Sequence, residues 1–189
     1  MTPFSLLLLA IGLCFDTFAV SLSGGIDAKH SLLRIAKISA VFALSQTAML
    51  TIGWLLGTAA LTYIAPVDHW IAFGLLAFIG GKMIRESFNP GPASTNLANH
   101  YVLLIIALAT SIDAIAVGVS LACSHILLPM MGIAALFVLT ITTAAAVAGL
   151  LGGRRLGARV GKRAEIIGGI ILIAIGVKIL LEHLMNYEL

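Results

Sequence analysis

Six stretches of this chain, roughly residues 4–23, 38–58, 69–87, 102–122, 129–151 and 165–184, are apolar and long enough to cross a bilayer, since about 20 mostly apolar residues traverse the hydrocarbon core. In lipid every backbone N–H and C=O must be satisfied within the protein, so only helices and closed barrels can span it. Barrel strands show as ten-residue alternating segments, whereas these runs are continuous. The expected fold class is therefore an all-α integral membrane protein with six transmembrane helices, spans 1 to 6. Composition agrees, with 60% hydrophobic and 10% charged residues and a mean hydropathy of +1.11; soluble domains carry about 25% charged residues. The first run occupies the place of a secretory signal, but no basic residue precedes it, Asp16 lies inside it and five more spans follow. It reads as a retained helix.

Lys and Arg favour cytoplasmic connections. Lys29, Arg34 and Lys37 lie between spans 1 and 2, Lys82 and Arg85 at the end of span 3, and Arg154, Arg155, Arg159, Lys162 and Arg163 between spans 5 and 6. With six spans these places share one face, leaving only Lys178 elsewhere. The expected orientation is a multi-pass protein with both termini on the outer side and the 1–2, 3–4 and 5–6 connections in the cytoplasm. The net charge of +3 is then a topology signal and gives no support for nucleic-acid binding. The lipid bilayer is the expected partner; no obligatory protein partner is evident, and oligomerisation is left open. Cys14 and Cys123 fall in or beside apolar spans and read as small buried hydrophobes.

The chain also repeats itself. Asp16-Thr17-Phe18-Ala19-Val20-Ser21 corresponds to Asp113-Ala114-Ile115-Ala116-Val117-Gly118 at an offset of 97, and Gly80, Lys82 and Glu86 correspond to Gly176, Lys178 and Glu182 at an offset of 96. Gly53 with Gly149, Gly57 with Gly153 and Thr47 with Thr143 extend the match. Three helices are an odd number, so the second copy enters the membrane inverted, the plan of many secondary transporters with a site near the midplane between repeats. The whole chain, 1–189, is read as one membrane domain: repeat 1 over 1–90, a linker over 91–101 opened by Asn89-Pro90-Gly91-Pro92, and repeat 2 over 102–189.

A carboxylate inside a membrane helix is a functional-site hypothesis by default, costing about 2.5–3.5 kcal/mol on insertion scales. Two in matching positions point to one shared site. Gly12, Asp16, Ala19 and Ser23 share a face of span 1, and Ala109, Asp113, Ala116 and Ser120 repeat it on span 4, so these small-residue faces are expected to pack together and turn the aspartates toward each other. Thr17, Thr110, Ser111, Ser23 and Ser120 add hydroxyl oxygens, and Gln46 an amide oxygen. Thr142 and Thr143 occupy the corresponding region of span 5. Two carboxylates with neutral oxygens suit a hard divalent cation such as Mg²⁺, Ca²⁺ or Mn²⁺, with Met49 or Cys14 as a bias toward softer metals. No basic residue lies in the central third of a span, so no intramembrane salt bridge is expected. The pairs Lys82/Glu86 and Lys178/Glu182 read as snorkelling side chains at helix ends, with gating as a second role. The five histidines sit in connections or at helix ends, while Trp54 and Trp70 read as interfacial belt residues.

Asp16 to Ser21, His69-Trp-Ile-Ala-Phe73, Gly80 to Glu86, Thr110 to Gly118 and Gly161 to Gly169 together make the chain resemble, over essentially its whole length, the bacterial manganese efflux pump family of the MntP type. The resemblance implies export of Mn²⁺ across the inner membrane, with Mn²⁺ as substrate and no cofactor. It carries the family's acidic positions onto Asp16 and Asp113 and places Gln46 where members bear Glu or Gln before a Gly-Trp pair, here Gly53-Trp54. Leu50 and Thr51 stand where a proline is expected. The mechanism expected is alternating access, with proton antiport as its simplest coupling. Other cargo, such as Cd²⁺, Fe²⁺ or a cationic amino acid, is the alternative within transport. An intramembrane aspartyl protease is the alternative from another class, although the Gly-x-Gly-Asp pattern expected there is replaced by Leu13-Cys14-Phe15 and Thr110-Ser111-Ile112.

Overall fold

Thr2 and Pro3 start the first helix: Thr2 Oγ1 accepts the Ser5 N–H at 3.3 Å, and Pro3 occupies the first turn, where its missing N–H costs nothing. The computed structural model describes residues 2–25, 31–64, 68–88, 97 and 99–186, which are helical almost throughout. Of the expected linker over 91–101, residues 91–96 and 98 lie outside the described residues.

Span 1 was expected as one helix. It is two, α1 (Pro3–Leu13) and α2 (Phe15–Gly24), meeting at Cys14, whose N–H is shared between Ala10 O at 3.2 Å and Ile11 O at 3.3 Å. Span 4 repeats this. Asn99 caps it through the Tyr101 N–H at 2.9 Å, and α5 (His100–Thr110) and α6 (Ile112–Cys123) meet at Ser111. The Ser111 N–H is shared between Ala107 O at 3.2 Å and Leu108 O at 3.1 Å. Cys14 and Ser111, Ala10 and Ala107, and Ile11 and Leu108 are all related by the offset of 97. By contrast α3 (Leu32–Ile64) runs unbroken through Leu50 and Thr51. α4 covers Asp68–Phe88, and His125 turns the chain after α6 with a left-handed φ of 52°.

The basic connection expected between spans 5 and 6 has helical backbone, so that α7 runs over Leu128–Asn186. Its two ends nonetheless run in opposite senses along the first span. Gly149 packs on Phe18 and Ser21 and Gly153 on Leu22 and Gly25, whereas Leu172 packs on Gly12 and Lys178 Nζ donates to Ser5 Oγ at 2.9 Å. The chain therefore doubles back between 153 and 172. Among the described residues four stretches are long and apolar enough to cross a membrane: Pro3–Gly24, Leu32–Ala60, His100–Cys123 and Leu128–Gly153. Trp70–Ile79 and Ile166–Leu181 are shorter apolar helices.

The closest backbone approaches come in equivalent sets. A Cβ on Gly53 would lie 2.0 Å from Ile115 O, and one on Gly57 would meet Ala122 and Val119; a Cβ on Gly149 would lie 2.8 Å from Phe18 O, and one on Gly153 would meet Leu22 and Gly25. The first pair joins α3 to α6 and the second joins α7 to α2, with partners again 97 apart. The expected packing of the small-residue faces of spans 1 and 4 on each other is corrected here. Glycines in spans 2 and 5 offer a closer approach than alanine faces do, so α6 and α2 pack on them, while Gly12 receives Leu172 and Ser120 reaches Ala72 of α4.

A larger apolar cluster includes Leu6, Leu9, Leu76, Leu121, Val138 and Leu172, and a smaller one joins Ile35, Ile38 and Phe42 to Leu103, Ala107 and Leu150. Outside, Leu55, Leu56, Phe78, Ile105, Leu136 and Leu151 are all exposed. Such continuous apolar cover marks a surface for lipid.

Candidate functional site

Each helix break places an aspartate in the first turn of the half-helix that follows, Asp16 in α2 and Asp113 in α6. There the free N–H groups and the helix dipole favour an anion. Both carboxylates fold back on the next residue, Asp16 Oδ1 accepting the Thr17 N–H at 2.5 Å and Asp113 Oδ1 the Ala114 N–H at 2.9 Å. This local bond takes a donor that a continuous helix would give to the carbonyl four residues back, so it stabilises the break. Asp113 is 8% exposed and Asp16 half-buried. The two carboxylates lie within electrostatic range of one another.

Gln46 is fully buried on α3 and ties the two halves together. Its Oε1 accepts from Thr17 Oγ1 at 3.2 Å and Thr142 Oγ1 at 2.9 Å, and its Nε2 donates to Leu13 O at 2.7 Å. Leu13 O sits at the break itself. Thr142 is 96 residues from Gln46, so two residues in equivalent positions meet each other. The sequence placed Thr142 in the region of span 5 corresponding to Gln46 but not among the expected ligands, and its direct bond to Gln46 is seen only in the structure. Ser21 was also passed over; its hydroxyl is buried with no hydrogen-bond partner among the described residues.

The other expected oxygens are arranged less directly. Thr110 Oγ1 donates to Ile106 O and Ala107 O at 3.0 and 3.1 Å, Ser111 Oγ to Ala107 O at 2.6 Å, and Ser120 Oγ to Ala116 O at 2.9 Å. Each hydroxyl proton is engaged by a main-chain carbonyl, for Ser120 also that of Ala72 on α4 at 3.4 Å, leaving oxygen lone pairs as the only ligands they offer. Ser23 is half-buried near the end of α2. The Cys14 thiol donates to Ile11 O at 3.1 Å, and Met49 packs against the larger apolar cluster. Among the described residues no three His, Cys, Asp or Glu side chains cluster as a metal site. A cation held here thus rests on two carboxylates with neutral oxygens and water, a pattern familiar for hard divalent ions.

Lys82 of α4 lies within electrostatic range of Asp16, because its four-carbon stem carries the charge well away from its own helix position. Lys178 is engaged with Ser5. The side chains of Glu86 and Glu182 lie outside the described residues. Trp54 donates its Nε1–H to Ile126 O at 3.1 Å, and Trp70 is 56% exposed.

Lipid-length helices with an apolar exterior, enclosing paired carboxylates at two helix breaks, define a multi-pass membrane protein with a buried polar site. A family profile described as "Putative manganese efflux pump" matches residues 29–180. The chain is 43% identical over 185 residues to the protein named "Putative manganese efflux pump MntP" of Methanospirillum hungatei, covering 96% of this chain and 95% of that one. It is 42% identical to the protein of the same name from Stenotrophomonas maltophilia and 45% identical to that of Bacteroides fragilis, each match covering 97% of this chain and 98% of the relative. No solved structure matches it. The chain belongs to the MntP family of manganese efflux pumps.

Proposed function

We propose that this protein exports Mn²⁺ from the cytoplasm across the inner membrane as a secondary carrier, binding the ion between Asp16 and Asp113. The observation that carries this reading is the duplicated break: each half contributes one carboxylate, two residues past an interrupted helix, within electrostatic range of the other. Two carboxylates balance the charge of a divalent ion. The names of the relatives supply manganese as cargo and efflux as direction.

Six spans in two inverted three-helix repeats fit the packing. α3 runs parallel to α5 and α6, α7 begins parallel to α1 and α2, and its far end returns antiparallel to them. These senses are those of six alternating crossings, and discontinuous helices at a midplane site are a mark of carriers built from inverted repeats. With the basic residues inside, both termini face out.

The ion enters from the cytoplasmic side, loses part of its hydration shell, and takes oxygen ligands from Asp16 and Asp113. Thr17, Ser111, Thr110 and the backbone at the breaks complete the shell with retained water, and Ser23 and Ser120 line the approach. Gln46 joins the ligands only by releasing Thr17 or Thr142, since both lone pairs of its Oε1 are already taken. Lys82 supplies counter-charge to Asp16 when the site is empty, and the Lys178–Ser5 bond holds span 6 against span 1 until the repeats rock. Protonation of the carboxylates on the outer side releases the metal.

The test is intracellular metal content in a manganese-sensitive bacterial host expressing wild type, Asp16→Asn or Asp113→Asn at matched membrane levels. Export of Mn²⁺ lowers cellular manganese in the wild type only, with Fe, Zn, Cd and Ca unchanged. Unchanged manganese, or a fall in another metal instead, overturns the assignment of cargo.

A further inference from the structure

Where α3 and α5 begin, a cavity of about 270 Å³ lies between them. Its floor is apolar, formed by Ile38, Leu97 and Leu103 of the smaller core cluster. Its rim is basic. Arg34 and Lys37 stand one turn apart on α3, and Lys37 Nζ lies 3.2 Å from His100 Nε2 on α5. No carboxylate is among the described residues that line it.

A guanidinium and an ammonium one turn apart on α3, the ammonium hydrogen-bonded to His100 Nε2 of α5, with no acid among the described lining residues, make a site for an anion. Arg and Lys at this spacing match a phosphate, the guanidinium by paired N–H donors and the ammonium as a point charge. The cavity is only partly polar, and its mouth runs onto surface for lipid, since Leu33 on its edge is 83% exposed and the neighbouring Leu32 and Tyr101 are 83% and 82% exposed. A free phosphate has no use for the apolar floor, whereas a phospholipid fits both parts.

We propose that this cavity binds an anionic phospholipid, with the headgroup phosphate on Arg34 and Lys37 and an acyl chain running out along Leu33. Basic pockets between membrane helices recognise headgroups in this way. The lipid bridges one helix from each half of the molecule, at the end where the positive-inside pattern places the cytoplasm.

Native mass spectrometry of the purified full-length protein, incubated with equal amounts of phosphatidylglycerol and phosphatidylcholine, tests this. Wild type retains one phosphatidylglycerol with at least about tenfold preference. R34Q/K37Q loses that preference, while R154Q/R155Q, whose charges lie between spans 5 and 6, keeps it. Excess inorganic phosphate leaves the lipid bound. Equal retention of both lipids, an undiminished preference in R34Q/K37Q, or displacement of the lipid by inorganic phosphate overturns the proposal. Should R34Q/K37Q not be recovered folded, K37Q alone must lower the preference at least about threefold, and an unchanged preference there is equally contrary.

Discussion

The helix breaks at Cys14 and Ser111 have the same backbone and different surroundings. In both, one N–H is shared between two carbonyls and an aspartate follows two residues later, bonded to the next backbone N–H. Around the first break, Gln46 closes the Leu13 carbonyl and holds the Thr17 hydroxyl. Around the second, the residue equivalent to Thr17 is Ala114, which has no hydroxyl, and the residue equivalent to Gln46 is the shorter Thr142. The carboxylate keeps its position at both breaks, and the polar support around it differs. The polar support thus differs between the two breaks, with Gln46 placed at the one beside Asp16.

Four substitutions break or sharpen this comparison. Gly53→Ala has the largest effect on folding, because its Cβ would fall 2.0 Å from the Ile115 carbonyl, and backbone cannot yield as a side-chain tip does. Overpacking of this kind costs about 1–3 kcal/mol or more, and unfolding in SDS at matched lipid should show Gly53→Ala below Gly149→Ala. Gln46→Leu comes next. The Thr17 and Thr142 hydroxyls can turn back to carbonyls of their own helices, so the Leu13 carbonyl left without its donor carries the main cost, about 1–3 kcal/mol, and the change should lower Mn²⁺ transport in everted vesicles. The exchange Q46T/T142Q, which moves the long amide to the other break, should recover more activity than Gln46→Leu retains. If it recovers none, the two halves are not interchangeable.

Thr142→Val removes one of the two hydroxyls on Gln46 Oε1 and should cost about 1 kcal/mol, measured in the same unfolding assay. Gly132→Ala is the smallest and has the opposite sign. Nothing lies within 4 Å of the added methyl, so relief of glycine's backbone entropy should stabilise α7 by about 0.5–1 kcal/mol.

Hydropathy alone located the apolar segments and the offset of 97 located the paired aspartates, because both are written in residue types at fixed spacing. The breaks were not legible. Neither Leu13-Cys14-Phe15 nor Thr110-Ser111-Ile112 contains proline or glycine, and what interrupts each helix is an aspartate bonding its own neighbour's N–H, a choice made only in the folded surroundings. Helix pairing was misjudged for a related reason. The small faces of spans 1 and 4 read as partners for each other, but Gly53 and Gly149 permit closer contact and take that place. Gln46 was found as a polar residue at the right depth, yet its bond to Thr142 required knowing that equivalent helices meet.

The central claim is that Asp16 and Asp113 form one site. Titration of purified protein with Mn²⁺, following the loss of the hexaaqua electron paramagnetic resonance signal, tests it most directly. The account predicts one tightly bound Mn²⁺ per chain in the wild type and none in either Asp16→Asn or Asp113→Asn. Two ions per chain in the wild type, or one retained in either single variant at unchanged affinity, would show that the carboxylates act separately and would contradict it.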